Sequence, residues 1–165
     1  MIKDNVLKAL NKQLNEELYS SYAYLAMSAH FSSLSLDGFA HWFKLQSQEE
    51  YGHAMKILQY ILDRNGKVSL MKIDPPKEEW KTPQAVFKEA FDQEVFVSKS
   101  INEIVDLSLK EKDYATNNFM QWFVSEQVEE ESTASKLLDR INLVGDNKNG
   151  LLLLDKELGM RASAG

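Results

Sequence analysis

Cysteine is missing from this chain of 165 residues, and proline occurs only three times. The lack of cysteine excludes disulfides, thiolate zinc sites and cysteine-ligated iron–sulfur clusters, and it fits the reducing cytoplasm, where we expect the protein. No window approaches about 18 uncharged apolar residues, so no membrane span is predicted. Charged residues interrupt residues 1–17, which argues against a secretory signal.

Basic residues are fewer than acidic ones, with 19 Lys and Arg against 25 Asp and Glu. This balance argues against a nucleic-acid partner and favours the attraction of cations. The length, with 44% hydrophobic residues, suits one domain with a substantial core. We therefore expect a single domain over residues 1–165.

Apolar residues recur every three or four positions over four long segments, which predicts four amphipathic helices. Thr82 is the expected N-cap of the third helix, with Pro83 at its first helical position, and Asn65-Gly66 is the expected stop of the second. A short fifth helix is predicted near the C-terminus. The first, second, fourth and fifth segments cover residues 5–32, 36–65, 113–144 and 150–159.

The lengths of the connections predict the topology. Few residues join the first two helices or the last two long ones, so each pair forms an antiparallel hairpin. About seventeen residues, 66–82, join the second helix to the third, which predicts a crossover along the whole bundle. The expected fold class is all-α: a four-helix bundle with one long crossover and a short C-terminal helix.

One spacing of polar residues occurs twice: a glutamate, an acid or amide 33 positions later, and a third polar residue three positions after that. Each member lies where the apolar stripe of its helix calls for a hydrophobic residue. At roughly 1.5 Å per residue, all six lie about 25 Å from the hairpin turns, so we expect one polar layer across the bundle. The two sets are Glu17, Glu50 and His53, and Glu94, Gln127 and Glu130.

A layer of four inward carboxylates indicates a metal site. A single glutamate or histidine on an apolar stripe is more often a boundary or core residue, and a purely structural bundle is the alternative. Four carboxylates together would repel each other and lose hydration at a cost of several kcal/mol each, which cations would offset. Carboxylates with one imidazole suit iron or manganese, and zinc could also bind.

The spacing further predicts how two ions would share the layer. Glu17, Glu50 and His53 would hold the first ion. Glu94 and Glu130 would hold the second, with Glu50 as the bridge between the two. Gln127 is neutral, so it is expected to be a weak ligand or to support the ligands from behind.

With these residues in view, the sequence resembles the bacterial non-haem ferritins over essentially its whole length. The general di-iron pattern has Glu-x-x-His on two helices, whereas here Glu50-x-x-His53 faces Gln127-x-x-Glu130, a form similar to a ferritin ferroxidase centre. The resemblance implies a ferritin-like bundle that oxidises iron(II) with O2 or H2O2 and stores a ferric oxide mineral. Iron is then the expected metal.

Three related classes fit less well. A haem-binding bacterioferritin would have a methionine after the helix-two glutamate, where this chain has Tyr51, so no haem is expected. A rubrerythrin-type peroxidase would need a cysteine-bound iron domain. A miniature DNA-protecting ferritin would place its ligands between subunits and would lack the C-terminal helix.

The resemblance also assigns expectations to residues around the layer. Tyr24 matches the tyrosine that stands beside the ferroxidase centre and is implied to supply an electron, with a core tyrosine as the alternative. Trp122 matches a nearby tryptophan with a similar implied role, and a packing role is its alternative. A third iron site is implied for a set of glutamates that spacing alone would class as solvated: Glu49, Glu126 and Glu129. The four consecutive leucines 151–154 are expected to be buried. The resemblance implies that their helix packs against those of neighbouring subunits in a homo-oligomeric shell of twenty-four copies.

Overall fold

The structure, a computed structural model, describes residues 1–163. The described residues form five α-helices and no strand, so the all-α prediction is confirmed. The predicted boundaries differ from the observed ones by at most two residues. The helices are α1 (Asp4–Ser33), α2 (Asp37–Asp63), α3 (Pro83–Lys110), α4 (Tyr114–Val144) and α5 (Lys148–Leu158).

Local chemistry sets the helix ends. The Thr82 hydroxyl accepts a hydrogen bond from the Ala85 N–H at 3.2 Å, so Thr82 caps α3 as expected. After α2, Asn65 takes the left-handed φ of 56°, and the Gly66 N–H then donates to the Ile61 carbonyl at 2.8 Å. Left-handed residues also follow the other three long helices, which keeps the α1–α2 and α3–α4 turns short.

The crossover, residues 64–82, runs along α1. Asn11 and Asn15 lie one helical turn apart, and each side-chain amide donates to one crossover carbonyl and accepts from one crossover N–H, at 2.6–3.0 Å. At the far end, the Trp80 ring packs edge-on against His30 with ring centroids 5.1 Å apart. The connection therefore spans the bundle, as its length predicted.

The core consists of two apolar clusters. The cluster at the α1–α2 turn is aromatic, with the rings of Phe31, Phe39, Phe43 and Phe87 at centroid distances of 5.0–5.9 Å. The cluster at the opposite end is mainly aliphatic. The polar layer lies between them, so its side chains have packed, water-poor surroundings on both sides. No helix among residues 1–163 is long and apolar enough to span a bilayer.

Helix α5 packs across the end of the bundle against α2 and α4. Its backbone comes so close to Gly38 that a Cβ there would lie 1.7 Å from the Asp155 carbonyl oxygen. The Asp155 carboxylate accepts the Phe39 N–H at 2.8 Å. Of the leucines expected to be buried, Leu154 is 4% exposed, whereas Leu152 and Leu153 remain 58% and 70% exposed in the single chain.

Candidate metal centre

The polar layer predicted from the repeated spacing forms at the centre of the bundle. Each long helix contributes at least one of the six side chains of the layer. The six lie at one level because they are at equal distances from the two hairpin turns. All six are between 0% and 8% exposed. They are Glu17 from α1, Glu50 and His53 from α2, Glu94 from α3, and Gln127 and Glu130 from α4.

The layer contains two groups of three possible ligands. Glu17, Glu50 and His53 each place one ligand atom within 4.8 Å of the others. Glu50, Glu94 and Glu130 form a second group by the same measure. Glu50 is common to both groups, which is the position that the sequence predicts for a bridging carboxylate.

Glu17 has an oxygen that the protein does not satisfy. Its Oε1 accepts a hydrogen bond from Gln13 Nε2 at 2.8 Å. Its Oε2 is the one buried side-chain N or O atom among the described residues that has no hydrogen-bond partner. An unpartnered buried acceptor costs about 1–3 kcal/mol. A cation between Glu17, Glu50 and His53 would remove that cost, so the residues fit a metal ion.

Two amides and a phenol hold the remaining carboxylates. Gln46 Nε2 donates to Glu50 Oε1 at 2.9 Å and to Glu130 Oε2 at 2.8 Å, and so links α2 to α4. Glu94 accepts from the Tyr24 hydroxyl and, at 3.1 Å, from Gln127 Nε2. Gln127 thus lies behind Glu94 as a hydrogen-bond donor, consistent with the supporting role expected for a neutral side chain.

Gln13 and Gln46 received no role from the sequence. Each lies four residues before a layer glutamate, and that spacing puts both side chains on one helix face. The spacing could have identified them as supports for Glu17 and Glu50.

The electrostatics of the layer favour a bound cation. Burial raises the pKa of Glu17 and that of Glu50 well above the ordinary range, and repulsion between neighbouring carboxylates adds to both shifts. Burial also raises the pKa of Glu94, although the hydrogen bond from Tyr24 opposes the shift, and it raises the pKa of Glu130 to about 7. A divalent cation would replace the protons held by these groups.

Comparison with known proteins identifies the family. Residues 7–144 match the family described as the ferritin-like domain. The chain belongs to the ferritin family. A bacterial non-haem ferritin of Bacteroides fragilis is 44% identical over 161 residues, which cover 98% of this chain and all of that protein. A second, from Campylobacter jejuni, is 39% identical over 156 residues, covering 94% of this chain and 93% of that protein.

Solved structures show the same relationship. An open pore ferritin from the archaeon Archaeoglobus fulgidus superposes on this ferritin with a TM-score of 0.97 at 44% identity, over 98% of this chain and all of that chain. A humanized archaeal ferritin gives a TM-score of 0.98. The resemblance to ferritins and the ferritin-like bundle with a short fifth helix are confirmed.

The two aromatic residues near the ferritin layer occupy different settings. Tyr24 is 1% exposed, and its hydroxyl contacts Glu94 directly. Burial, together with the neighbouring Glu94 carboxylate, raises the Tyr24 pKa well above its ordinary value. Trp122 is 39% exposed, lies edge-on to His53 with centroids 5.4 Å apart, and carries the Lys56 ammonium 3.6 Å from its ring centroid.

The three glutamates of the implied third site do not form one ligand group among the described residues. Glu126 joins His53 and Glu130 in a group whose ligand atoms lie within 4.8 Å. Glu49 is paired with Arg161 at 2.7 Å, and Glu129 is exposed and joins none of the ligand groups formed by the described residues. A third site made by all three glutamates stays a prediction.

Proposed function

We propose that this ferritin stores iron by oxidising iron(II) in the polar layer and retaining it as a ferric oxyhydroxide mineral inside a hollow homo-oligomeric shell. The observation that carries the proposal is the pair of three-ligand groups that share Glu50, with an unsatisfied Glu17 oxygen in the first. The relatives from B. fragilis and C. jejuni are named bacterial non-haem ferritins, which supports the same function.

Iron(II) is the substrate, and the two groups receive it unequally. The first ion binds Glu17, Glu50 and His53, where two carboxylates and an imidazole surround it. The second ion binds Glu94 and Glu130, with Glu50 as the shared ligand. Because the carboxyl groups have raised pKa values, each loses its proton as the cation arrives.

Oxidation requires an electron acceptor from solution. Two iron(II) ions supply two electrons, which reduce O2 with two protons to H2O2, or reduce H2O2 with two protons to two water molecules. Carboxylate oxygens favour the harder iron(III) ion. Gln46 and Gln127 hold the carboxylates from behind, and the Tyr24 hydroxyl holds Glu94 from the other side, next to the proposed ions.

The exposed apolar residues of α5 support assembly into a shell. Leu152 and Leu153 lie next to each other on a helix that is otherwise docked on its own bundle. Such residues are normally covered in the native state, and we propose that α5 helices of neighbouring subunits cover them in a shell of twenty-four copies.

The test is the aerobic addition of iron(II) to the purified protein, with initial oxidation rate, iron retained per chain and particle size recorded. We expect a mineral-filled shell, and at least a tenfold slower initial rate for Glu50→Ala, with a smaller loss for Glu130→Ala. Glu103→Gln, an exposed change on α3, is the control. Retention of no iron by the parent protein, or an unchanged rate for Glu50→Ala, would contradict the proposal.

A further inference from the structure

The segment after α5 folds back onto α2, and Arg161 anchors it there. The Arg161 guanidinium donates to the Trp42 carbonyl at 3.2 Å, to Gln46 Oε1 at 3.0 Å and to Glu49 Oε2 at 2.7 Å. Its carbon atom lies 4.6 Å from the centroid of the Trp42 ring. The Arg161 carbonyl lies 2.8 Å from His41 Nε2. Five contacts to successive turns of α2 thus fix this arginine.

One of those contacts reaches the metal centre through a single intermediate residue. Gln46 accepts from Arg161 with its oxygen and uses its amide nitrogen for Glu50 and Glu130. The two N–H groups of the amide serve one carboxylate each. A flipped amide would turn its oxygen toward two carboxylates and its N–H groups toward a guanidinium that only donates. Arg161 therefore selects the one orientation in which Gln46 holds both carboxylates.

On the basis of the proposed function, we infer that Arg161 is a positioning residue for the metal centre. It acts through Gln46, which orients the bridging Glu50 and the second-ion ligand Glu130. The segment after α5 thus supports the metal site, although Arg161 lies 115 positions from Gln46 in sequence. Without the guanidinium, the Gln46 oxygen loses its charged donor, so the amide orientation that serves Glu50 and Glu130 is fixed less firmly.

Cobalt(II) binding tests this inference without depending on oxidation. Titration of the parent protein, followed by the visible absorption of bound cobalt(II), should show two ions per chain. Loss of a hydrogen bond that orients a metal ligand typically costs about 10–100-fold in affinity. We expect Arg161→Gln to weaken at least one cobalt site by about tenfold and to change its spectrum. Arg161→Lys should be intermediate, because one ammonium nitrogen cannot occupy the positions of both guanidinium nitrogens.

Arg140→Gln is the matched control. Like Arg161, Arg140 pairs with a glutamate, here Glu157 on α5 and through both terminal nitrogens, but it lies on the surface away from the layer. The Arg140→Gln substitution should lower stability at most slightly and leave cobalt binding unchanged. A general loosening of the C-terminal segment would instead lower the melting temperature without changing the cobalt spectrum.

A double-mutant cycle assigns the route of the effect. In a Gln46→Leu background, Arg161→Gln should change cobalt affinity by less than about twofold, because the intermediate is already gone. An equal loss in both backgrounds, or an unchanged isotherm for Arg161→Gln in the parent, would overturn the inference. A parent protein that binds cobalt(II) but oxidises no iron(II) would instead overturn the proposed function alone.

Discussion

At the scale of single residues, Glu17 is unfavourable in the metal-free protein and favourable for cation binding. Its side chain is fully buried, one oxygen has no partner among the described residues, and its pKa is raised well above the ordinary range. Each of these properties opposes folding when metal is absent. The same properties favour binding of a cation that supplies the missing contact.

Glu17→Gln should therefore stabilise the metal-free protein. An amide replaces a buried carboxyl group that must either carry a charge or take up a proton, and it gives Glu50 a hydrogen-bond donor. We therefore expect the free energy of unfolding to rise by about 1–2 kcal/mol. Fast iron(II) oxidation should be lost. Urea denaturation of the metal-free protein measures the first effect and stopped-flow absorbance the second.

Glu16→Gln is the control for this change, since it makes the same substitution one position earlier, outside the layer. It should leave both stability and oxidation near the parent values. A metal-free Glu17→Gln protein that is less stable than the parent would show that the carboxylate makes a needed contact without metal.

Glu130 makes the stability of the metal-free protein depend on pH. Its pKa is about 7 in the folded chain, against an ordinary value of 4.5. Below pH 4.5 the Glu130 carboxyl is protonated in both the folded and the unfolded chain, so no stability has yet been lost. As the pH rises toward 7 only the unfolded chain releases the proton, so stability falls, and the loss is complete above that pH.

The expected loss between about pH 4.5 and pH 8 is at most on the order of 3 kcal/mol for Glu130 alone. Urea denaturation of the metal-free protein at several pH values in that window measures it, and Glu130→Gln should give a flatter profile. If stability instead rises with pH by the same amount in both proteins, the burial of Glu130 is not what sets the slope.

At the scale of elements, the helices and the register of the layer followed from the sequence. A helix advances by a constant rise per residue, so equal counts from the two hairpin turns placed Glu17, Glu50 and Glu94 at one height. The orientation of the Gln46 amide and its contact with Arg161 could not be predicted in this way. They depend on how α5 and the segment after it fold back on α2, which periodicity does not encode.

The docking of α5 depends on the absence of a side chain at Gly38. A Cβ there would lie 1.7 Å from the Asp155 backbone oxygen, so α5 would have to move. We expect Gly38→Ala to lower the free energy of unfolding by about 1–3 kcal/mol, as overpacking does elsewhere, and to release the buried Leu154 and Leu158. Thermal denaturation followed by circular dichroism measures the loss.

Gly52 offers a matched comparison on the same helix. It lies inside α2, and a Cβ there would meet no atom within 4 Å. Gly52→Ala should therefore stabilise the protein by about 0.5–1 kcal/mol, because alanine loses less conformational freedom in a helix. Opposite signs for the two substitutions are expected, and equal effects would show that the Gly38 contact is not decisive.

At the scale of the whole molecule, the polar layer divides an otherwise apolar interior. Aromatic residues fill the end near α5, and aliphatic residues fill the other. These clusters supply most of the hydrophobic stabilisation, so the layer can retain four carboxylates that oppose folding when no metal is bound. The exposure of Leu152 and Leu153 could not be predicted from the periodicity of the chain, because periodicity does not show which α5 residues dock on the chain's own bundle.

The long crossover has a consequence for the order of folding. Each hairpin can begin at its turn with residues close in sequence and extend outward, whereas the Asn11 and Asn15 bonds to the crossover join positions 54–58 residues apart. Contacts that close a longer loop form later than local ones. We therefore expect these bonds to be absent from the folding transition state.

Asn15→Ala should then accelerate unfolding of the dissociated subunit several-fold while leaving its refolding rate nearly unchanged. Stopped-flow fluorescence across a range of urea concentrations separates the two rates. Leu14→Ala, one residue earlier in the buried core of α1, is the comparison, and slower refolding is expected there if α1 packs early. Refolding slowed by Asn15→Ala as much as its unfolding is accelerated would place the crossover in the transition state. We therefore expect the two asparagines to set the lifetime of the folded subunit without setting how fast it folds.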